Sequence, residues 1–195
     1  MPYSDLSAFI LAGGQSTRMG RDKALVTIGG RTLLERVLES ARAVTDDVRI
    51  VGDPAKYAAF APTIPDIFPG CGPLAGIHAA LRTSDREVNL ILAVDVPFVT
   101  AELLRYLIDR AEELPMSLAT VVRTTNGWQP LCAVYRREFA ELAEKSMRGG
   151  RYKIDALFDA SGTRVIVEEE LHAAGFSEGL FRNLNTPEEL EKANE

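Results

Sequence analysis

Cysteine is scarce in this chain. Cys71 and Cys132 are the only two, too few and too far apart for a disulfide framework or a cysteine-rich zinc site. They read as buried small hydrophobes, and free thiols suit a reducing compartment. Histidine is equally sparse: neither His78 nor His172 has a partner at a spacing that suits a metal, and His78, inside an apolar helix, reads as a packed or capping residue. No apolar run approaches the roughly 20 residues needed to span a membrane. The N-terminal MPYSDLSAFILAGG lacks a positively charged leader region, so it is not expected to be a signal peptide. These features predict a cytoplasmic protein. An excess of positive charge is also missing: 22 Lys plus Arg stand against 28 Asp plus Glu, a formal net charge of −6. That excludes a nucleic-acid binder relying on many phosphate contacts. It does not exclude a small anion, because Arg18, Arg21 and Lys23 are clustered. There is no internal repeat, no low-complexity linker and no Gly-x-Ser-x-Gly elbow.

What remains is 195 residues, 46% hydrophobic and 26% charged, the proportions of an ordinary globular domain. Strand-like and helix-like segments alternate. Ala8 to Leu11 is a short apolar run ending at Gly13-Gly14. Thr32 to Val44 carries a helical stripe (Leu33, Leu34, Val37, Leu38, Ala41) with Thr32 as N-cap. Val48 to Val51 is strand-like, Leu74 to Leu81 helical, and Asn89 to Val94 a strand apolar enough to be covered on both faces. Thr100 opens another helix. Leu118–Arg123 and Leu131–Tyr135 flank a turn at Asn126-Gly127. Arg137–Met147 is helical, Arg164–Val167 is strand-like, and Thr186-Pro187-Glu188-Glu189 is a helix start. The alternation predicts an α/β protein with a mostly parallel sheet, as one domain over residues 1–195.

In such sheets ligands bind beyond the carboxyl ends of the strands. After the first strand comes LAGGQSTRMGRDK, residues 11–23. Its glycines let main-chain N–H groups approach a phosphate, and Arg18 and Lys23 can neutralise it. It is not the P-loop pattern, since Lys23 does not directly follow a glycine. Gly70-Cys71-Gly72-Pro73-Leu74-Ala75 formally matches a dinucleotide fingerprint, but two prolines (Pro65 and Pro69) interrupt the approach to it. It reads better as a loop opening the Leu74 helix. Asp95 directly follows a buried strand, where a hard carboxylate oxygen suits Mg²⁺. Trp128 reads as core, with a stacking platform as the other option.

LAGGQSTRMGRDKALVTIGGRTLLERV resembles the N-terminal signature of nucleotidyltransferases that activate sugar phosphates and the molybdenum cofactor. Together with Gly72-Pro73-Leu74-Ala75-Gly76, Asp95-Val96-Pro97-Phe98, Gln129-Pro130-Leu131 and the Asn183-to-Leu190 stretch, it resembles the molybdenum cofactor guanylyltransferases over nearly the whole chain. The resemblance implies a Rossmann-like three-layer α/β/α fold of the nucleotide-diphospho-sugar transferase type. About 1–100 would be the nucleotide half and about 101–195 the acceptor half. It further implies transfer of GMP from GTP to the terminal phosphate of molybdopterin, with Mg²⁺ and release of pyrophosphate.

By that resemblance Leu11, Ala12, Gly13 and Gly14 contact the nucleotide, Lys23 binds its phosphates with Arg18 beside them, and Asp66 binds guanosine. Asp95 binds nucleotide and metal, and Arg151, Asn183 and Asn185 face the pterin. Cofactor-delivery chaperones or molybdoenzymes are implied downstream partners. Two departures stand out: Gly52-Asp53 replaces an Asn common after the second strand, and the wider superfamily's Asp-x-Asp is absent at Asp95. A cytidylyltransferase using CTP, a sugar-phosphate acceptor, a non-catalytic nucleotide binder and a dehydrogenase remain open alternatives.

Overall fold

The computed structural model describes residues 3, 5–13, 22–159, 162–184 and 189. Gly14, Arg18, Arg21, Asn185 and the helix start at Thr186 lie outside the described residues.

In chain order the elements are β1 (Leu6–Leu11), β2 (Thr27–Ile28), β3 (Arg31–Thr32), α1 (Leu33–Arg42), β4 (Asp47–Val51), α2 (Pro54–Tyr57), β5 (Thr63–Ile64) and α3 (Pro73–Thr83). They continue with β6 (Val88–Ala93), α4 (Ala101–Glu113), β7 (Ala119–Thr124), β8 (Gly127–Trp128), β9 (Cys132–Arg136), α5 (Phe139–Arg148), β10 (Thr163–Val167) and α6 (Glu168–Ala173). The main sheet runs β10-β7-β9-β6-β1-β4-β5, with β8 added to β7. β1 pairs in parallel with β4 and β6, β4 with β5, and β7 with β10, while β9 is antiparallel to both β6 and β7. A single reversed strand thus lets β7 and β10 point the same way as β1 and β6. Their carboxyl ends share one edge.

Side chains alternate across each strand, and β1 shows the result. Leu6, Ala8 and Ile10 join α1, α4 and Leu171 of α6 in one buried layer, whereas Phe9 and Leu11 join α3 and α5 in the other. This is the three-layer α/β/α arrangement with a mostly parallel sheet expected from the sequence. The local signals also hold. Thr32 caps α1 in a full capping box with Glu35, a device that typically contributes about 1 kcal/mol. The Thr100 side chain accepts from the Leu103 amide at the start of α4. The short elements α2, β5, α6 and the β2–β3 hairpin were not expected, because two to six residues are too few to show a period.

Cys132 is buried and its thiol is pushed up to about 12 by burial. Cys71 is only half-buried, which corrects its assignment to the interior. Among the described residues no helix is long and apolar enough to cross a membrane.

Candidate active site

The carboxyl edge is laced together where β1 ends. The amides of Ala12 and Gly13 both donate to the Val51 carbonyl, at 2.9 and 3.2 Å, and the Val94 amide donates to the Leu11 carbonyl at 3.2 Å. The exits of β4, β1 and β6 are therefore held side by side. The Leu11 side chain is buried beneath α3, where a Cβ on Gly76 would come within 3.2 Å of it. Leu11 can face the edge through its main chain but not through its side chain. The amides of Ala12 and Gly13 already have an acceptor, so neither is spare for a phosphate in this state.

Asp66 lies beside Gly13: its Oδ2 is 3.6 Å from where a Cβ of Gly13 would sit. Its other oxygen, Oδ1, is buried without a hydrogen-bond partner. Burial pushes this carboxyl above its usual range. A buried acceptor left without a donor costs about 1–3 kcal/mol, so Asp66 is a point at which an incoming N–H would be rewarded.

Lys23 and Asp95 meet directly. Lys23 opens a single 3₁₀ turn, Lys23–Leu25, capped by the Asp22 carboxylate, which accepts from the Ala24 amide at 3.2 Å. The Lys23 Nζ then reaches Asp95 Oδ2 at 3.0 Å, with the two side chains only 15% and 25% exposed. Asp95 occupies the turn after β6, and its carbonyl accepts the Leu184 amide at 3.1 Å. Two residues chosen from sequence for opposite charges, one for phosphate and one for metal, are thus each other's partner.

Asp22 also receives the Tyr57 hydroxyl and Lys56. Tyr57 carried no signal in the sequence, since it sits in a four-residue helix and its partner is distant in the chain. Gly72 adopts φ +68° at the start of α3, with Pro73 in the first helical position. The second glycine cluster therefore opens this helix as expected. The strand nearest ahead of it, β5, ends at Ile64, so the dinucleotide fingerprint lacks its leading strand.

The residues expected on the acceptor side are placed differently. Arg151 is exposed, with its main chain held by Ser146 through Arg151 N to Ser146 O (2.9 Å) and Ser146 Oγ to Arg151 O (2.7 Å). Asn183 is exposed next to Leu184, and so close in sequence to the contact with the Asp95 carbonyl. Trp128 is half-buried rather than core: it packs on Phe158 with ring centroids 5.0 Å apart, and the Arg123 guanidinium lies over its ring.

His78 is packed as expected, edge-on to Phe68 and 3.3 Å from Glu144. His172 departs from expectation. Its ligand atom and those of Glu168 and Glu178 all lie within 4.8 Å of one another. Glu168 and His172 are one helical turn apart on α6, a spacing visible in sequence only once that helix is known.

Residues 8–165 match the MobA-like NTP transferase domain family. The chain is 37% identical over 192 residues to a molybdenum cofactor guanylyltransferase from Desulfosudis oleivorans, covering 96% of this chain and 94% of that one. Among solved structures it resembles molybdopterin-guanine dinucleotide biosynthesis protein A from Archaeoglobus fulgidus, with TM-score 0.82, 29% identity and 96% of each chain covered. It shares its fold, at TM-score 0.70 and 15% identity, with a 4-diphosphocytidyl-2C-methyl-D-erythritol synthase from Anaerococcus prevotii, covering 97% of this chain and 94% of that one. The chain belongs to the MobA-like NTP transferase domain family.

Proposed function

We propose that this protein transfers GMP from GTP to the terminal phosphate of molybdopterin, forming molybdopterin guanine dinucleotide and releasing pyrophosphate. The observation that carries the reading is the Lys23–Asp95 pair at the carboxyl edge, in a chain whose relatives are named for this activity. A triphosphate arriving with a divalent cation can exchange one ion pair for two: the ammonium turns to phosphate and the carboxylate to the cation. Asp95 fits Mg²⁺, which takes one or two carboxylates and completes its shell with phosphate oxygens and water. When bound, the ion would neutralise charge on the phosphates.

The acceptor phosphate oxygen attacks the α-phosphorus in line. A new O–P bond forms as the bond to the β-phosphate oxygen breaks, and the electron pair leaves with pyrophosphate. The attacking oxygen is already ionised near neutral pH, so no general base is assigned. The protein's contribution is alignment and charge stabilisation. Lys23 supplies fixed positive charge, with Arg18 assigned beside it. Leu11, Ala12, Gly13 and Gly14 supply the close main-chain surface.

Asp66 favours guanine over cytosine, because guanine presents two adjacent N–H donors to one carboxylate and cytosine presents only its exocyclic amine. Arg151, Asn183 and Asn185 are assigned to the acceptor. A cytoplasmic setting, and hand-over of the product to a molybdoenzyme or its chaperone, belong to the same reading. The two free cysteines support the cytoplasmic setting.

The test is pyrophosphate release measured with GTP, CTP, ATP and UTP, each with and without molybdopterin and with a sugar phosphate as a competing acceptor. Release with GTP that requires both molybdopterin and Mg²⁺ is expected. Release that requires CTP or a sugar phosphate would replace the reading with that chemistry, and GTP binding without turnover would make the chain a nucleotide-binding protein.

A further inference from the structure

We propose that Tyr57 is a positioning residue: its hydroxyl holds Asp22, and through it Lys23, at the nucleotide edge. The inference rests on the reading of Lys23 as the phosphate-facing cation.

Packing alone places Tyr57 firmly. Asp53 caps the short helix α2 by accepting from the Ala55 amide at 2.9 Å, and Pro54 fixes the first helical position. The Tyr57 residue is only 3% exposed and belongs to the buried layer beneath α1. Its ring fills the space above Gly52, where an added Cβ would stand 3.0 Å from Cδ2 and Cε2. Gly52 was one of the two departures noted in the sequence, and its lack of a side chain is what admits this ring.

The hydroxyl then meets three oxygens. Asp22 Oδ1 and Oδ2 are 2.8 and 2.9 Å away, and the Ala12 carbonyl is 3.3 Å away. None of the three can donate, so the hydroxyl supplies the proton, and the shorter distances direct it to Asp22. Burial first, then Asp22, pushes the phenol well above its usual range, so that proton is present throughout the working pH range. Burial opposes the charge on Asp22, but the hydrogen bonds from Tyr57 and Lys56 outweigh it and hold the carboxyl below its usual range. Lys56 is more than half exposed, and an exposed pair of this kind contributes little. The buried hydroxyl is therefore the partner that fixes Asp22.

Asp22 in turn caps the Lys23–Leu25 turn, and Lys23 crosses to Asp95. The same hydroxyl lies 3.3 Å from the Ala12 carbonyl, so Asp22 is held beside the exit of β1, where the phosphates are expected. A plain packing role for the ring predicts nothing about Lys23, and that difference makes the idea testable.

Tyr57→Phe keeps the ring and removes only the hydroxyl. It is expected to fold, as read from thermal melting. Lys23 is then labelled with N-hydroxysuccinimidyl acetate and followed by peptide mass spectrometry, with exposed Lys145 as internal reference. Its labelling rate should rise about threefold or more, as the local hold is lost. This readout needs no substrate, so it stands even if the guanylyl-transfer reading fails. With whichever triphosphate and acceptor the parent turns over, kcat should fall about tenfold, with a much smaller change in KM for the triphosphate. The same substitution in a Lys23→Ala background should add less than about twofold, because the two residues act as one unit. Unchanged Lys23 labelling, or equal fold-losses in both backgrounds, would overturn the proposal. Turnover only with a nucleotide other than GTP would overturn the guanylyl reading and leave this coupling to be judged on that nucleotide.

Discussion

The two sides of the carboxyl edge are built on different terms. Around β1, β4 and β6, charged and polar side chains already meet: Lys23 lies on Asp95, and Tyr57 and Lys56 lie on Asp22. On the side proposed for the acceptor the main chain is anchored, through Ser146 and through the Leu184 amide, while the Arg151 and Asn183 side chains stand exposed. On the proposed assignment the nucleotide side already holds its charges in place as pairs, and once the triphosphate has exchanged the Lys23–Asp95 pair for its own contacts, those charges face the phosphates as charge develops on them. On the same proposed assignment Arg151 and Asn183 become ordered only when the acceptor arrives, at a cost of about 0.5–1.5 kcal/mol of binding for each side chain. Rate should therefore be concentrated in the first region and acceptor affinity in the second.

The strongest challenge to that division is Lys23→Ala, which should lower kcat by about 10²-fold or more, the size of one preorganised charge-stabilising contact. Unchanged turnover of the purified variant would remove Lys23 from the chemistry. Asp95→Asn should cost at least about tenfold in turnover and raise the Mg²⁺ concentration needed for half-maximal rate, with the melting profile preserved. A parent enzyme whose turnover ignores chelator would break the metal assignment instead. Arg151→Ala should raise KM for the acceptor by roughly threefold to tenfold at unchanged KM for GTP. A fall in kcat without that rise would move Arg151 to the other side of the comparison.

The smallest effect concerns stability. The Asp66 carboxyl is pushed above its usual range by burial, so its contribution to stability is fully present below the ordinary carboxylate range and lost as pH rises through the raised value. At pH 7 the ionised group is a cost. Asp66→Asn should therefore raise the melting temperature of the ligand-free protein by about 2 °C at neutral pH, with the gain shrinking in acid, while preference for GTP over CTP falls. An unchanged melting temperature together with unchanged preference would leave Asp66 without its assigned role.

The doubly covered strands β1 and β6 were legible because burial on both faces demands unbroken apolar runs, and α1 and α4 because Thr32 and Thr100 announce them. Lys23 and Asp95 could be singled out by residue type and by position against the strands and glycines, and Asp66 only through the family resemblance. Their mutual arrangement could not. That Lys23 answers Asp95 across 72 positions depends on how β1 and β6 are ordered in the sheet. Tyr57 was invisible for the same reason, since its importance comes from the hydroxyl's distance to Asp22. The Glu168–His172–Glu178 grouping has no signature in the sequence, because α6 is too short to show its own period.

Leu184 donates its amide to the carbonyl of Asp95, and Phe181 and Leu184 are buried in the layer beside α4. Modular exchange between relatives is constrained by this contact. A chimera that takes its C-terminal half from another chain must bring the closing segment as well, and a cut ahead of Phe181 would strip Asp95 of a main-chain partner and open the layer beneath it. A recombination unit here must therefore reach at least as far as Leu184, even though the side chains proposed to face the nucleotide all lie in the first half of the chain.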